Sequence, residues 1–259
     1  MRLHLFEFED LKWFPDVIRQ SQTDYLHFVI SKAKVYEPAA SLVKEALEKT
    51  GTNEILDLCS GGGGGTDVFH KNLESVTGKQ IKIRLSDKYP NLTAFEQIKT
   101  MTGGKVDYIK DSLDALNVPP NIKAMRTFFS SFHHFKPEDA KSILKNAVND
   151  KVPIAVFEGA DKNILSFLGI FFFTPITFIF ITPFIKPFKF SRIFFTYLIP
   201  IIPIATVWDG LVSVVRMHRP SEMLKMAEEA DSVNYKWKSG KVRGKMGNAV
   251  LYLVGYPIN

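Results

Sequence analysis

The segment Glu54-Ile55-Leu56-Asp57-Leu58-Cys59-Ser60 runs straight into five glycines at 61–65. A turn made of glycine has no β-carbon to hold a neighbour away, so another group can approach its backbone closely. Where a helix follows such a turn, its first N–H groups lack partners and face the same point. Residues 66–73 have the apolar spacing of a helix start. The combination predicts a strand–turn–helix unit that cradles a nucleotide-like ligand. A flexible linker is disfavoured, because strand and helix patterns flank the run directly.

The rest of the chain alternates in the same way. Strands are expected at 55–59, 81–85, 106–109, 125–132 and 154–157, and helices at 38–49, 91–101 and 137–148. Two further strands, 233–237 and 249–254, close the chain around a turn-rich stretch at 238–248. Alternation of this kind predicts an α/β fold: a mostly parallel sheet sandwiched by helices, with an antiparallel C-terminal edge. The expected division is a helical arm or lid (1–50), a sheet domain (51–162 and 208–259) and an insertion (163–207).

The net charge of +6 and isoelectric point near 9.2 favour anionic partners. The basic residues are spread out and no nucleic-acid module is present, so nucleic acid is not expected as a partner. One cysteine, Cys59, leaves no intramolecular disulfide and no multi-cysteine zinc site, and no metal is expected from the sequence. The N-terminus turns acidic too early for a signal peptide.

In open α/β sheets, ligands bind beyond the carboxyl ends of the strands. Asp57, Asp87 and Asp111 fall at the ends of the first three strands. Asp87 follows the glycines by about twenty residues, the spacing at which an acid reaches a ribose diol. A carboxylate suits that task because it accepts two hydrogen bonds.

Together these residues resemble the class I S-adenosylmethionine-dependent methyltransferases. The likeness lies in Ile55-Leu56-Asp57-Leu58-Cys59-Ser60-Gly61-Gly62-Gly63, in the acids Asp87 and Asp111, and in Phe128-Phe129-Ser130-Ser131-Phe132-His133-His134-Phe135. It covers about residues 40–160 and, more loosely, the last two strands. The resemblance implies a Rossmann-like seven-stranded sheet and S-adenosylmethionine as cofactor. Gly61 and Gly63 would line its methionine part, Asp87 would hold the ribose hydroxyls, and Asp111 with Ser112 would face the adenine edge. Asp57, Cys59 and Ser130 complete the implied set. Cys59 stands where that family usually has its first glycine. A dinucleotide reading would require a nicotinamide half, which the sequence lacks.

Methyl transfer from a sulfonium is an in-line displacement, and a base is needed only if the acceptor must lose a proton. His133 and His134 follow the fourth strand, and Glu158 ends the fifth. Each is a candidate base; the alternatives are loop shaping or capping of the next helix for the histidines, and helix capping or a solvated position for Glu158. Tyr25 and His27 lie on the arm, where packing is favoured over a lid role. Cys59 has no base partner in view and is not a nucleophile.

One stretch breaks the alternation. Residues 163–185 carry no charge and hold Phe171-Phe172-Phe173, Phe178 and Phe180. Lys186, Lys189 and Arg192 follow, then a second apolar stretch at 193–207. About 20 apolar residues can span a bilayer. Two spans, however, would send the basic island to the far side, against the positive-inside tendency. A re-entrant or interfacial hairpin on the cytoplasmic face of a membrane is expected instead, its basic island meeting acidic headgroups. Burial in a homo-oligomer interface is the alternative. Asp209 is expected to cap the helix through Met217 rather than face the pocket rim, and Arg216, His218 and Arg219 to lie on a solvated surface rather than hold a phosphate headgroup. The reading as a whole is a membrane-associated methyltransferase acting on an apolar small molecule or lipid. The alternatives are a membrane-tethered protein that binds the methyl donor without transfer, and a related non-methylating reaction on the same fold.

Overall fold

A computed structural model of the chain describes residues 3–231, 233–244 and 247–258. The first two residues of the expected arm, residues 245 and 246 of the expected turn, and residues 232 and 259 lie outside the described residues. The strands are β1 (Glu54–Asp57), β2 (Lys82–Leu85), β3 (Val106–Tyr108), β4 (Met125–Phe129), β5 (Ile154–Glu158), β6 (Tyr235–Arg243) and β7 (Ala249–Pro257). They form one seven-stranded sheet in the order β3-β2-β1-β4-β5-β7-β6. The first five are parallel, with Ile55 paired to Ile83 on one side and to Met125 on the other. β7 runs antiparallel to β5, and β6 antiparallel to β7. The order reverses between β1 and β4, which opens a crevice at their carboxyl ends.

Helices cover both faces, because side chains alternate across a buried strand. Ile55, Ile83 and Phe157 face α2 (Ala39–Thr50), α3 (Thr66–Thr77) and α4 (Leu92–Met101), meeting Val43, Phe69 and Phe95. Leu56, Phe128 and Val156 face α5 (Pro137–Asn149) and α9 (Pro220–Ala230), meeting Leu144 and Met223. Local signals set the helix ends. Gly51 takes φ +69° just past α2, where a left-handed residue stops a helix without a side-chain clash. Asn91 accepts a hydrogen bond from the Ala94 N–H at the start of α4, at 3.2 Å.

Ahead of α2 the arm forms a short helical turn at Phe8–Asp10 and one continuous helix, α1 (Asp16–Lys32), entered at Pro15. The insertion is a hairpin. Its first limb is α6 (Ile164–Ile181), which continues in helical turns to Phe184. Its second begins with α7 (Phe190–Ile193), runs on to Leu198, and bends by 79° into α8 (Ile201–Arg216). α6 with its continuation is long and apolar enough to cross a membrane.

Three expectations are corrected. The fourth strand ends at Phe129, not at residue 132, and Phe132–His134 forms a tight helical turn. Most of the stretch expected as a turn between the last strands is extended, because β6 and β7 pair over nine residues each. Asp209 lies inside α8, which runs unbroken through the expected boundary at 207/208. It is therefore not a cap.

Candidate active site

The crevice holds a cavity of about 980 Å³. One wall is the glycine turn, with Cys59, Ser60, Gly61, Gly62 and Gly64. The others come from the loop after β2 (Asp87 to Asn91), the end of β4 (Phe129 to Ser131), His134, and the arm with α1. A smaller, charged cavity of about 510 Å³ lies at the opposite end of the sheet around Lys82, Arg84 and Lys105, away from these residues.

Asp57 anchors the turn from behind. Its carboxylate accepts hydrogen bonds from the Ser60 hydroxyl at 2.7 Å and the Thr127 hydroxyl at 2.9 Å. Burial pushes its pKa up to about 7, against the pull of those two hydroxyls. The Ser60 N–H donates to the Ser86 carbonyl at 3.0 Å and the Ser86 N–H donates to the Ser60 hydroxyl at 3.1 Å, which locks the turn to β2. Cys59 is bent to φ +55°. Burial pushes its thiol pKa well above the ordinary range, which agrees with a structural role.

Asp87 spans the turn and the β2 loop. One carboxylate oxygen accepts from the Gly61 N–H at 2.9 Å, the other from the Tyr89 N–H at 2.8 Å. Burial raises its pKa, and the two amides act in the opposite direction. Ser130, at φ +47°, accepts from the Gly159 N–H at 3.1 Å and lies 2.5 Å from the Tyr36 hydroxyl. Asp111 and Ser112 are exposed and lie outside the walls of this cavity; the Ser112 hydroxyl donates to the Lys88 carbonyl instead.

The glycines do more than face the cavity. A β-carbon on Gly62 would stand 2.9 Å from Thr23 of α1, on Gly63 2.0 Å from Ile98 of α4, and on Gly65 2.6 Å from Ile30 of α1. The run lets two helices close onto the turn, and Gly63 is turned to α4 rather than to the cavity. The Gly65 N–H also reaches His27 Nδ1 at 3.4 Å.

A polar cluster reaches the cavity through Glu9, Asp10 and His134, with His133, Glu158 and Glu7 buried behind them and outside its walls. Glu158 is buried and accepts from the His133 backbone N–H at 2.9 Å, with His133 Nδ1 at 2.8 Å from its other oxygen. His134 stands between acids of the arm. Its Nδ1 is 2.9 Å from Asp10 and 3.4 Å from Glu7, and its Nε2 is 3.3 Å from Glu9. Burial works against its charge, yet Glu7, Asp10 and Glu9 push its pKa well above the ordinary value. Burial raises the pKa of Glu7. Arg216 reaches Asp10 at 2.7 Å and Glu7 at 3.3 Å. Arg216 and His218 are thus buried rather than solvated, which corrects the expectation for them.

Glu7, Glu9, Asp10 and Arg216 were not legible as site residues. The one signal was the alternation of acid and aromatic in Phe6-Glu7-Phe8-Glu9-Asp10. A further correction concerns the basic island. Lys189 reaches Asp24 of α1 at 2.7 Å, and the buried Arg192 pairs with the same carboxylate. Of the three, Lys186 is exposed, Lys189 half-buried and Arg192 buried.

No family model and no curated protein matches the chain. Solved structures align with it at low identity. A putative O-methyltransferase from Nostoc punctiforme is 14% identical over 88% of this chain and 58% of its own, with a TM-score of 0.49. An O-methyltransferase family protein from Burkholderia thailandensis gives 14%, 89%, 59% and 0.47. Human N-acetylserotonin methyltransferase, solved in complex with SAM, gives 12%, 90%, 55% and 0.49. The chain spans less than two thirds of the length of each. Likenesses this distant carry no argument about its chemistry. The chain's own sheet order, its glycine turn after β1 and its acid after β2 carry the assignment: it has the Rossmann-like fold of the class I S-adenosylmethionine-dependent methyltransferases.

Proposed function

We propose that this chain is an S-adenosylmethionine-dependent methyltransferase that works at a membrane and methylates a lipid-like or other apolar small molecule. The observation that carries this reading is one juxtaposition. The cavity beside the glycine turn and Asp87 is roofed by α1, and α1 is itself bound to an uncovered apolar hairpin.

The residues fit the cofactor. Each carboxylate oxygen of Asp87 has one backbone donor, which leaves lone pairs for the two hydroxyls of a ribose. The open backbone of Gly61, Gly62 and Gly64 would take the methionine end, and Cys59 and Ser130 would line the pocket. Asp57 would act indirectly, by holding Ser60. Gly63, Asp111 and Ser112 have no direct part in this assignment. When bound, S-adenosylmethionine supplies an electrophilic methyl group on a sulfonium.

The protein's task is then to position the acceptor and exclude water. His134 has an acid against each ring nitrogen, and these acids favour its protonated form, which makes it a poor acceptor of a proton from the substrate. We assign it to orientation of the acceptor rather than to base catalysis. Glu158 is committed to His133 and acts as a positioning residue.

The hairpin supports the membrane reading. Only 6% of the apolar window in its first limb is buried. Phe172 is 56% exposed, Phe180 69%, Phe190 82% and Leu198 70%. A continuous apolar surface of this kind marks a membrane or a partner. Because Lys189 and Arg192 turn inward, attachment would rest on apolar insertion more than on headgroup charge. Flotation tests this. The protein is expected to float with neutral phosphatidylcholine vesicles about as well as with anionic ones. Recovery at the bottom of the gradient with both, as a stable dimer, would instead favour burial of the hairpin between two copies.

A further inference from the structure

Glu7, His133 and His134 meet from two distant parts of the chain. One carboxylate oxygen of Glu7 and one ring nitrogen of each histidine lie within 4.8 Å of one another. We propose that these three side chains bind one divalent transition-metal ion in the wall of the candidate active-site cavity. The sequence did not suggest this, because the acid is more than a hundred residues from the histidines.

Several observations support it. The donor set is two imidazoles and one carboxylate, which suits zinc, cobalt, iron or manganese and leaves positions open for a further ligand. His133 Nδ1 is held by Glu158 at 2.8 Å, so Nε2 is the nitrogen turned toward Glu7, at 3.9 Å. A carboxylate behind a histidine is the usual support for a metal-binding imidazole, because it fixes the tautomer and raises ligand basicity. Glu7 is fully buried, and its Oε2 has no hydrogen bond among the described residues, while Arg216 engages Oε1. Ligands about 2.1 Å from a shared ion lie roughly 3 to 3.5 Å apart, so the cluster would contract by about 1 Å on binding.

Charge supports the same assignment. The buried carboxylates Glu7 and Glu158 lie here, with half-buried Glu9 and exposed Asp10 beside them, and Arg216 contacts Glu7 and Asp10. Buried carboxylates need compensating charge, which a divalent ion between Glu7 and the histidines would add. Of the three ligands His134 lines the cavity, while Glu7 and His133 are buried behind it, so an ion here would sit at the back of the cavity wall and could polarise an acceptor hydroxyl only through the side on which His134 opens. Binding of the ion is independent of the methyl-transfer reading; only its role toward an acceptor rests on that reading.

The test uses the full chain in detergent, titrated with Co²⁺ alone and followed by visible absorption. One equivalent per chain is expected, displaced by Zn²⁺. Glu7→Gln and His134→Gln should each weaken binding at least tenfold, with circular dichroism confirming that the variants fold. Glu158→Gln keeps all three ligands and should weaken Co²⁺ by about 10- to 100-fold, as loss of a supporting carboxylate does. Asp107→Asn, at the other end of the sheet, should bind as the parent does. No bound Co²⁺ in the parent, or equal binding in all variants, overturns the proposal. S-Adenosylmethionine binding measured on the same samples separates the two readings: a parent that binds the cofactor but not Co²⁺ loses only the metal site.

Discussion

Thr23 of α1 lies so close over Gly62 that a β-carbon on the glycine would stand 2.9 Å from both the Thr23 Cβ and its carbonyl oxygen. The arm is therefore a wall of the cavity, seated directly on the turn. Gly62→Ala should push α1 away, with an overpacking cost of about 1–3 kcal/mol. Limited proteolysis should then cut within α1, and thermal denaturation should show the loss. Gly64 has open space around it, so Gly64→Ala should cost only backbone strain, about 1 kcal/mol, with the arm still protected. Equal protection of the arm in both variants would contradict this arrangement.

Asp87 is the residue most exposed to test in the cofactor assignment. Asp87→Ala removes the carboxylate that joins the Gly61 and Tyr89 amides, and with it the proposed ribose contact. Titration calorimetry should show S-adenosylmethionine binding at least tenfold weaker, in line with the loss of a charge-assisted hydrogen bond. Asp111→Ala should bind as the parent does, because Asp111 lies outside the cavity walls. The reverse ranking would return the ribose role to the third strand.

Asp87 shows what a sequence can reveal and Glu7 what it cannot. Strand, turn, helix and the acid after the second strand are local patterns with fixed spacing, so the sheet and the cofactor side of the cavity were readable. Gly61 could be placed, but Gly63 could not be assigned to α4 without knowing where Ile98 would pack. Glu7 and His133 meet only because α8 carries Arg216 back beneath the arm, a contact with no signature along the chain. Lys189 and Arg192 misled for the same reason. Two cations after an apolar stretch suit a membrane surface, and their true partner, Asp24, lies more than 160 residues away.

Asp57 gives the protein a predictable pH response. Its pKa is pushed up to about 7 by burial, against an ordinary value of 3.8. The unfolded chain thus releases this proton near pH 4, while the folded chain keeps it until about pH 7. Between those values the unfolded state is favoured progressively, so the proton-linked stability present below pH 4 is lost as pH rises to 7. The amount is on the order of 4 kcal/mol. Melting temperature should fall across this window, and Asp57→Asn should flatten the fall. An unchanged slope in that variant would show that another group governs it.

The arm and the hairpin are joined through Asp24 and Tyr25. Asp24 pairs with Lys189 and Arg192, and the Tyr25 ring stacks on Phe178 at 3.7 Å. Asp24→Asn leaves the buried Arg192 without its carboxylate and should destabilise the protein by roughly 3–5 kcal/mol. Replacing both partners, as Asp24→Leu with Arg192→Met, should recover much of that loss. Chemical denaturation of the two variants checks this; an equal loss in both would mean that the pair is not what the arm depends on.

The central claim is methyl transfer to an apolar acceptor, and it can be measured directly. Purified protein is incubated with methyl-labelled S-adenosylmethionine and a total lipid extract of the source cells, and the organic and aqueous phases are counted separately. The account predicts label in the organic phase, reduced at least tenfold by Asp87→Ala when the donor is held below saturation. Donor binding without label in the organic phase would contradict it.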